Sequence, residues 1–226
     1  LPSELAGLLD GLRRENGTPE SCARRVAGIA RSLPPEPRRL VDGCNDSIAL
    51  LHAGQKRGDG APYVIHPRRV AVIATALRHR EDLADLLLVA LLHDVVEDCG
   101  VTPEEIRARY GPRVSRAVKL LTAPGHPGET SEEQKLRKEN KARKVEAEGG
   151  LALTVHMSDI LDNVVSWRRL VPASPAWNKL PRWLRQADDW YIPLAERHFP
   201  AAAAELRREV DFERGRGIVD DHGHRS

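Results

Sequence analysis

The run from Glu81 to Asp98 constrains this chain most, because the uninterrupted apolar stretch Leu86 to Leu92 leads directly into His93-Asp94-Val95-Val96-Glu97-Asp98. A helix that is apolar on every side belongs at the centre of a core. The run is also far too short to cross a bilayer. Read as one helix over 81–98, it carries four polar or ionisable side chains into the interior, at a cost of several kcal/mol unless they are paired or bound to metal. Glu97 falls four residues after His93 and three after Asp94, and Asp98 falls four after Asp94. Helical geometry therefore gathers carboxylates beside an imidazole on one face. Carboxylates so crowded repel one another, and a cation relieves them.

Two other segments repeat the pattern. A buried helix expected over about 151–170 places His156, Asp159, Asp162 and Asn163 near one stripe, and Pro62-Tyr63-Val64-Ile65-His66-Pro67 sets a histidine at the mouth of a helix. Each feature alone has an ordinary explanation: a hydrogen-bonded His–Asp couple, a helix start, a satisfied core carboxylate. Together they point to a divalent metal held by His66, His93, Asp94 and Asp159. Imidazole and carboxylate in equal number suit a six-coordinate ion such as manganese or iron, and suit a closed, thiolate-rich zinc site poorly.

Helix signals dominate the rest of the chain. Helices are expected over 3–15, from Pro19 to before Pro34, over 38–55, from Pro67, from Thr102-Pro103-Glu104-Glu105, over 131–148, over about 176–197 and over 200–213. Alternating strand patterns and repeats are absent. The reading is all-α: a single helical bundle of about ten helices, with residues 1–37 as an N-terminal helical extension, 38–213 as the domain and 214–226 as a flexible tail.

A net charge of +2 argues against broad nucleic-acid binding, while a local basic pocket for an anionic small molecule stays compatible. The charged helix over 131–148 offers Lys135, Arg137, Lys138, Lys141, Arg143 and Lys144; the plainer reading is a solvated face paired with its own glutamates. Three cysteines without CxxC spacing fit free thiols in a reducing compartment. With no signal peptide or membrane span in view, the expectation is a cytoplasmic protein, no membrane or nucleic-acid partner, and an oligomeric state left open, homo-oligomer included.

The segments His52-Ala53-Gly54-Gln55-Lys56-Arg57, Pro62 to Pro67, Ala90 to Asp98 and Asp159-Ile160-Leu161-Asp162-Asn163 resemble the HD-type hydrolase domain of the RelA/SpoT homologues, over about residues 40–200. The resemblance implies a fold of roughly ten helices and Mn²⁺-dependent hydrolysis of (p)ppGpp at its 3′-diphosphate. The chain ends where that family's synthetase domain would begin, so the expectation is a small alarmone hydrolase. By position, His66, His93, Asp94 and Asp159 take the metal-ligand places, and Glu97 and Asp98 the catalytic acidic pair. Arg57 matches a residue that packs on the nucleobase, Tyr63 lies in the same loop, and Asn163 matches a residue of the nucleoside pocket. Three positions depart: Gly58 replaces a basic residue, His156 a lysine and Cys99 a threonine. His156 is the candidate phosphate contact in that lysine's place. The departures leave the metal ligands intact and keep ppApp, NADPH or a non-catalytic nucleotide-sensing role as alternatives.

Overall fold

The computed structural model describes residues 2–14 and 17–218. Among them every regular element is helical, and the loops add only an isolated bridge between Lys56 and Pro62. The helices are α1 (Pro2–Arg14), α2 (Pro19–Ala30), α3 (Pro35–Leu51), α4 (Ile65–Leu77), α5 (Leu83–Leu92), α6 (Val95–Asp98), α7 (Pro103–Tyr110), α8 (Pro112–Leu121), α9 (Ser131–Glu148), α10 (Gly150–Ser166), α11 (Leu180–Gln186), α12 (Ile192–His198) and α13 (Pro200–Gly215). No described helix is long and apolar enough to cross a membrane. His222 and His224 of the expected tail lie outside the described residues.

Local chemistry explains the starts. Thr18, Thr102 and Thr130 each accept from the backbone N–H three residues on, and that residue returns a side-chain bond to the threonine N–H, giving reciprocal caps on α2, α7 and α9. Proline in the first turn of α2, α3, α7 and α8 costs nothing, because that N–H has no helical partner.

The centre of the bundle is α5, whose Leu86, Leu87, Val89, Ala90 and Leu91 are fully buried. It packs against α4, α3, α8 and α10, while α4 also lies along α10. Each leucine buried here contributes roughly 1.5–3 kcal/mol relative to exposure. Helices α1 and α2 join the same core through Leu5, Leu9, Leu12, Val26 and Ala30.

One expectation needs correction. The helix expected over 81–98 is not continuous: α5 stops at Leu92, His93 and Asp94 form a turn, and α6 is a single turn. The reason is local. His93 Nδ1 bonds the Ala90 carbonyl at 2.8 Å, satisfying an acceptor at the helix end, and Asp94 sits at φ −105°, ψ −9°. Glu97 and Asp98 are consequently exposed rather than buried. The helix expected over 176–197 is present as an unbroken helical run from Trp177 to His198, in which a short 3-10 turn, α11, a π-helical segment at Ala187–Tyr191 and α12 follow one another without a gap.

Candidate active site

His66, in the first turn of α4, and His93, at the end of α5, face each other edge to face with ring centroids 5.1 Å apart. Both are buried. One ligand atom from each of His66, His93 and Asp94 lies within 4.8 Å of the other two. Asp159 of α10 brings Oδ1 to 3.2 Å from His66 Nε2 and 3.9 Å from His93 Nε2. Asp94 Oδ2 lies 3.5 Å and 2.9 Å from the same two nitrogens. Four sequence candidates from three elements thus converge on one point.

The protons decide what that point can hold. His93 Nδ1 faces a carbonyl, which only accepts, so Nδ1 carries the hydrogen. His66 Nδ1 likewise faces Asp162 Oδ2 at 2.8 Å. Both Nε2 atoms therefore turn toward the Asp94 and Asp159 carboxylates. His93 Nε2 is buried without a hydrogen-bond partner. A lone pair aimed at carboxylate oxygens is repulsive unless a proton or a cation lies between them. Burial and the Arg57 charge push the His66 pKa down, yet its bonds to Asp159, Asp162 and Asp94 outweigh them and raise it to about 10. Burial also works against charging His93, but the Asp94 carboxylate raises its pKa overall. The cluster demands positive charge, and its N/O donor set fits a divalent cation.

Around this point, Tyr63 Oη donates to Asp94 Oδ2 at 2.7 Å, and Asn163 Nδ2 donates to Asp159 Oδ1 at 2.6 Å. Arg57 donates to Asp162, Asn163 and the Ser166 hydroxyl at 3.0–3.2 Å. Arg57 is thus bound to α10 beside the cluster, and Tyr63 serves Asp94. Glu97 accepts the Ala123 N–H from the loop before α9. Partial burial and the Asp94 and Glu97 charges raise the Asp98 carboxyl above its ordinary pKa, against a bond from Tyr63.

Beside Asp159 opens a cavity of about 560 Å³ between α9, α10 and the α11–α12 segment. His156, Asp159 and Asn163 line its inner end. Lys138, Lys141 and Arg182 are among the cations on its walls. Desolvation, then Arg182, Lys141 and Arg137, lower the Lys138 pKa, as expected where like charges crowd together. Glu97, Asp98, Arg57 and Tyr63 do not line this cavity. His156 is buried, its Nδ1 has no hydrogen-bond partner, and desolvation followed by the Lys141 charge lowers its pKa to about 4. It is neutral at pH 7. Gly58 is held small by its neighbour: a Cβ there would stand 3.0 Å from Ala176 Cβ.

Sequence reasoning missed two parts of this arrangement. Arg69, fully buried in α4, pairs with Asp162 Oδ1 at 2.5 Å. An arginine inside so apolar a helix was the available signal, since such a charge requires a carboxylate nearby. The π-helical wall with Trp190 and Tyr191 gave no signal beyond its aromatic content.

Comparison with known proteins follows the same residues. Residues 44–148 match the family model described as HD domain. The chain is 37% identical over 152 residues to the guanosine-3′,5′-bis(diphosphate) 3′-pyrophosphohydrolase of Aquifex aeolicus, covering 65% of this chain and 20% of that protein. It is 40% identical over 93 residues to the protein of the same name from Vibrio cholerae, covering 40% and 12%. A solved structure described as a metazoan ortholog of SpoT that hydrolyzes ppGpp superposes with a TM-score of 0.65 at 25% identity, over 81% of this chain and 98% of that one. Over these segments the chain is similar to the HD domains of RelA/SpoT-type proteins. The chain spans a fifth or less of the length of those two curated relatives. The match over 44–148 takes in His66, His93 and Asp94, and leaves Asp159 and the α11–α12 wall beyond it.

Proposed function

We propose that this protein hydrolyses the 3′-pyrophosphate of (p)ppGpp or a close alarmone, releasing pyrophosphate and GDP or GTP, with Mn²⁺ as its ion. One observation supports the reading: an N/O cluster that demands positive charge and has the donor set for a divalent cation opens onto a cavity whose walls bear several lysines and arginines. A cavity of this size suits a nucleotide, and the lysines and arginines of its walls, which stand among Glu132, Glu139, Glu146 and Asp189, suit the charges of a polyphosphate.

His66, His93, Asp94 and Asp159 would hold the ion. When bound, such an ion lowers the pKa of a coordinated water and draws charge from a phosphoryl oxygen. The chain supplies the rest. Asp98, with its raised pKa, and Glu97 orient the attacking water and accept its proton. Lys138, Lys141 and Arg182 bind the phosphates and offset the charge of the departing pyrophosphate. Arg57, whose N–H groups are engaged by α10, packs on the base in this reading. Asn163 borders the nucleoside, and Tyr63 keeps Asp94 in place.

A second reading, a phosphatase acting on ppApp or NADPH, draws on His156 and Gly58. A neutral imidazole at His156 removes one fixed positive charge from the inner end of the cavity, which alters the contacts available to phosphate. The test is to incubate the purified protein with Mn²⁺ and ppGpp, pppGpp, ppApp or NADPH and separate the products by anion exchange. Pyrophosphate release from ppGpp that disappears in Asp94→Ala and with chelator is expected. Turnover of NADPH alone, or of none of the four, would overturn the alarmone reading.

A further inference from the structure

Asp162 is fully buried on α10 and receives three side chains at once. Its Oδ2 takes His66 Nδ1 at 2.8 Å and Arg57 Nη1 at 3.1 Å, while Oδ1 faces Arg69 Nε at 2.5 Å. We propose that Asp162 is a positioning residue that fixes the tautomer and ring orientation of His66, so that Nε2 alone is presented to the ion. The inference rests on the reading of His66 as a metal ligand.

The logic is one of acceptors and charge. An ionised carboxylate only accepts, so the hydrogen of His66 must lie on Nδ1 when the Nε2 lone pair is to meet a cation. Two guanidinium groups, Arg57 at 3.1 Å and Arg69 at 2.5 Å, face this carboxylate, so it stands as an acceptor toward His66. A carboxylate bonded to the far nitrogen of a ligating histidine also makes the ring a stronger donor, and losing such a partner typically lowers metal affinity roughly 10–100-fold. Because Arg57 shares Oδ2 with His66, the same atom registers the loop before α4 against the metal edge. A plain structural ion pair with Arg69 would need neither contact.

The test measures metal binding as well as activity. Mn²⁺ titration by calorimetry should show Asp162→Ala, folded by circular dichroism, binding roughly 10–100-fold more weakly than the parent protein. Asp162→Asn, whose amide oxygen still accepts from Nδ1, should fall between the two. In the unaltered protein labelled with ¹⁵N-histidine and loaded with Cd²⁺, His66 should show a protonated Nδ1 and a metal-shifted Nε2. This spectrum decides the matter if the variants do not fold. Unchanged Mn²⁺ affinity in a folded Asp162→Ala, or Cd²⁺ on Nδ1, overturns the assignment. His66→Ala separates the two levels. If it also binds Mn²⁺ normally, the metal reading itself fails; if it loses binding while Asp162→Ala does not, only the role of Asp162 falls.

Discussion

Tyr63 Oη and Asp94 Oδ2 are joined by a 2.7 Å hydrogen bond that ties the loop before α4 to the turn between α5 and α6. Asp94 is the carboxylate closest to His93 Nε2, at 2.9 Å, and its other neighbours are imidazoles and carboxylates. The phenol is therefore a neutral donor in a crowd of charges. It restrains the carboxylate without altering the charge of the cluster.

Removing that donor should weaken the ion rather than the fold. A single such bond is worth about 1 kcal/mol net, close to fivefold in a dissociation constant. Tyr63→Phe should lose about that much Mn²⁺ affinity, with an unchanged circular dichroism spectrum. Calorimetric titration measures it, and parent-like affinity would show that the bond does not restrain Asp94.

Metal affinity should climb with pH. In the metal-free protein His66 is raised to about 10, from about 6.5 for a free histidine. Its stabilising charge is fully present below the unfolded value and is lost as pH rises through the folded one. The proton on Nε2 competes with the ion throughout that window, so binding displaces it. Titration in buffers of different ionisation heat, from pH 6.5 to 9, should show protons released and tighter binding at higher pH. A flat affinity with no proton release would refute this.

Glu97 and Asp98 should separate chemistry from binding. Both are exposed at the end of α6 and neither belongs to the histidine cluster. Glu97→Gln and Asp98→Asn should keep Mn²⁺ affinity while kcat falls about 10²–10⁴-fold, the usual span for losing a general base. Paired calorimetry and product assays decide it; a variant that loses the ion belongs to the metal centre instead.

Restoring a basic residue at position 58 should fail for steric reasons. Because Ala176 Cβ would stand 3.0 Å from a new Cβ, Gly58→Lys should destabilise by roughly 1–3 kcal/mol through overpacking. Adding Ala176→Gly should recover most of the loss. Urea unfolding of the single and double variants checks this, and an unchanged midpoint in the single variant would contradict it.

The first helix should unfold together with the rest. The Arg13 side chain, 5% exposed, pairs with Asp10 at 2.7 Å, with Glu205 at 2.5 Å and with Glu209. Arg13→Ala leaves buried carboxylates on α13 short of a partner, a loss of about 3 kcal/mol. One cooperative urea transition at a lower midpoint is expected; a separate early transition would mark α1 as an independent extension.

The sequence by itself determined the helical class, the capped start of α7 at Thr102, and the identity of the cluster residues. Periodicity and residue type act locally, and a stretch as apolar as Leu86–Leu92 has only the interior to occupy. Where the chain turns was a different matter. The bond from His93 Nδ1 to Ala90 ends α5 early and leaves Glu97 and Asp98 exposed, although their spacing suits a continuous helix. That choice depends on which nitrogen of a histidine finds a carbonyl, and no sequence pattern encodes it. The union of Asp162 with His66, Arg57 and Arg69 likewise exists only once α10 lies along α4. Tertiary packing alone brings one carboxylate and three cationic or polar partners from distant positions to a single buried point.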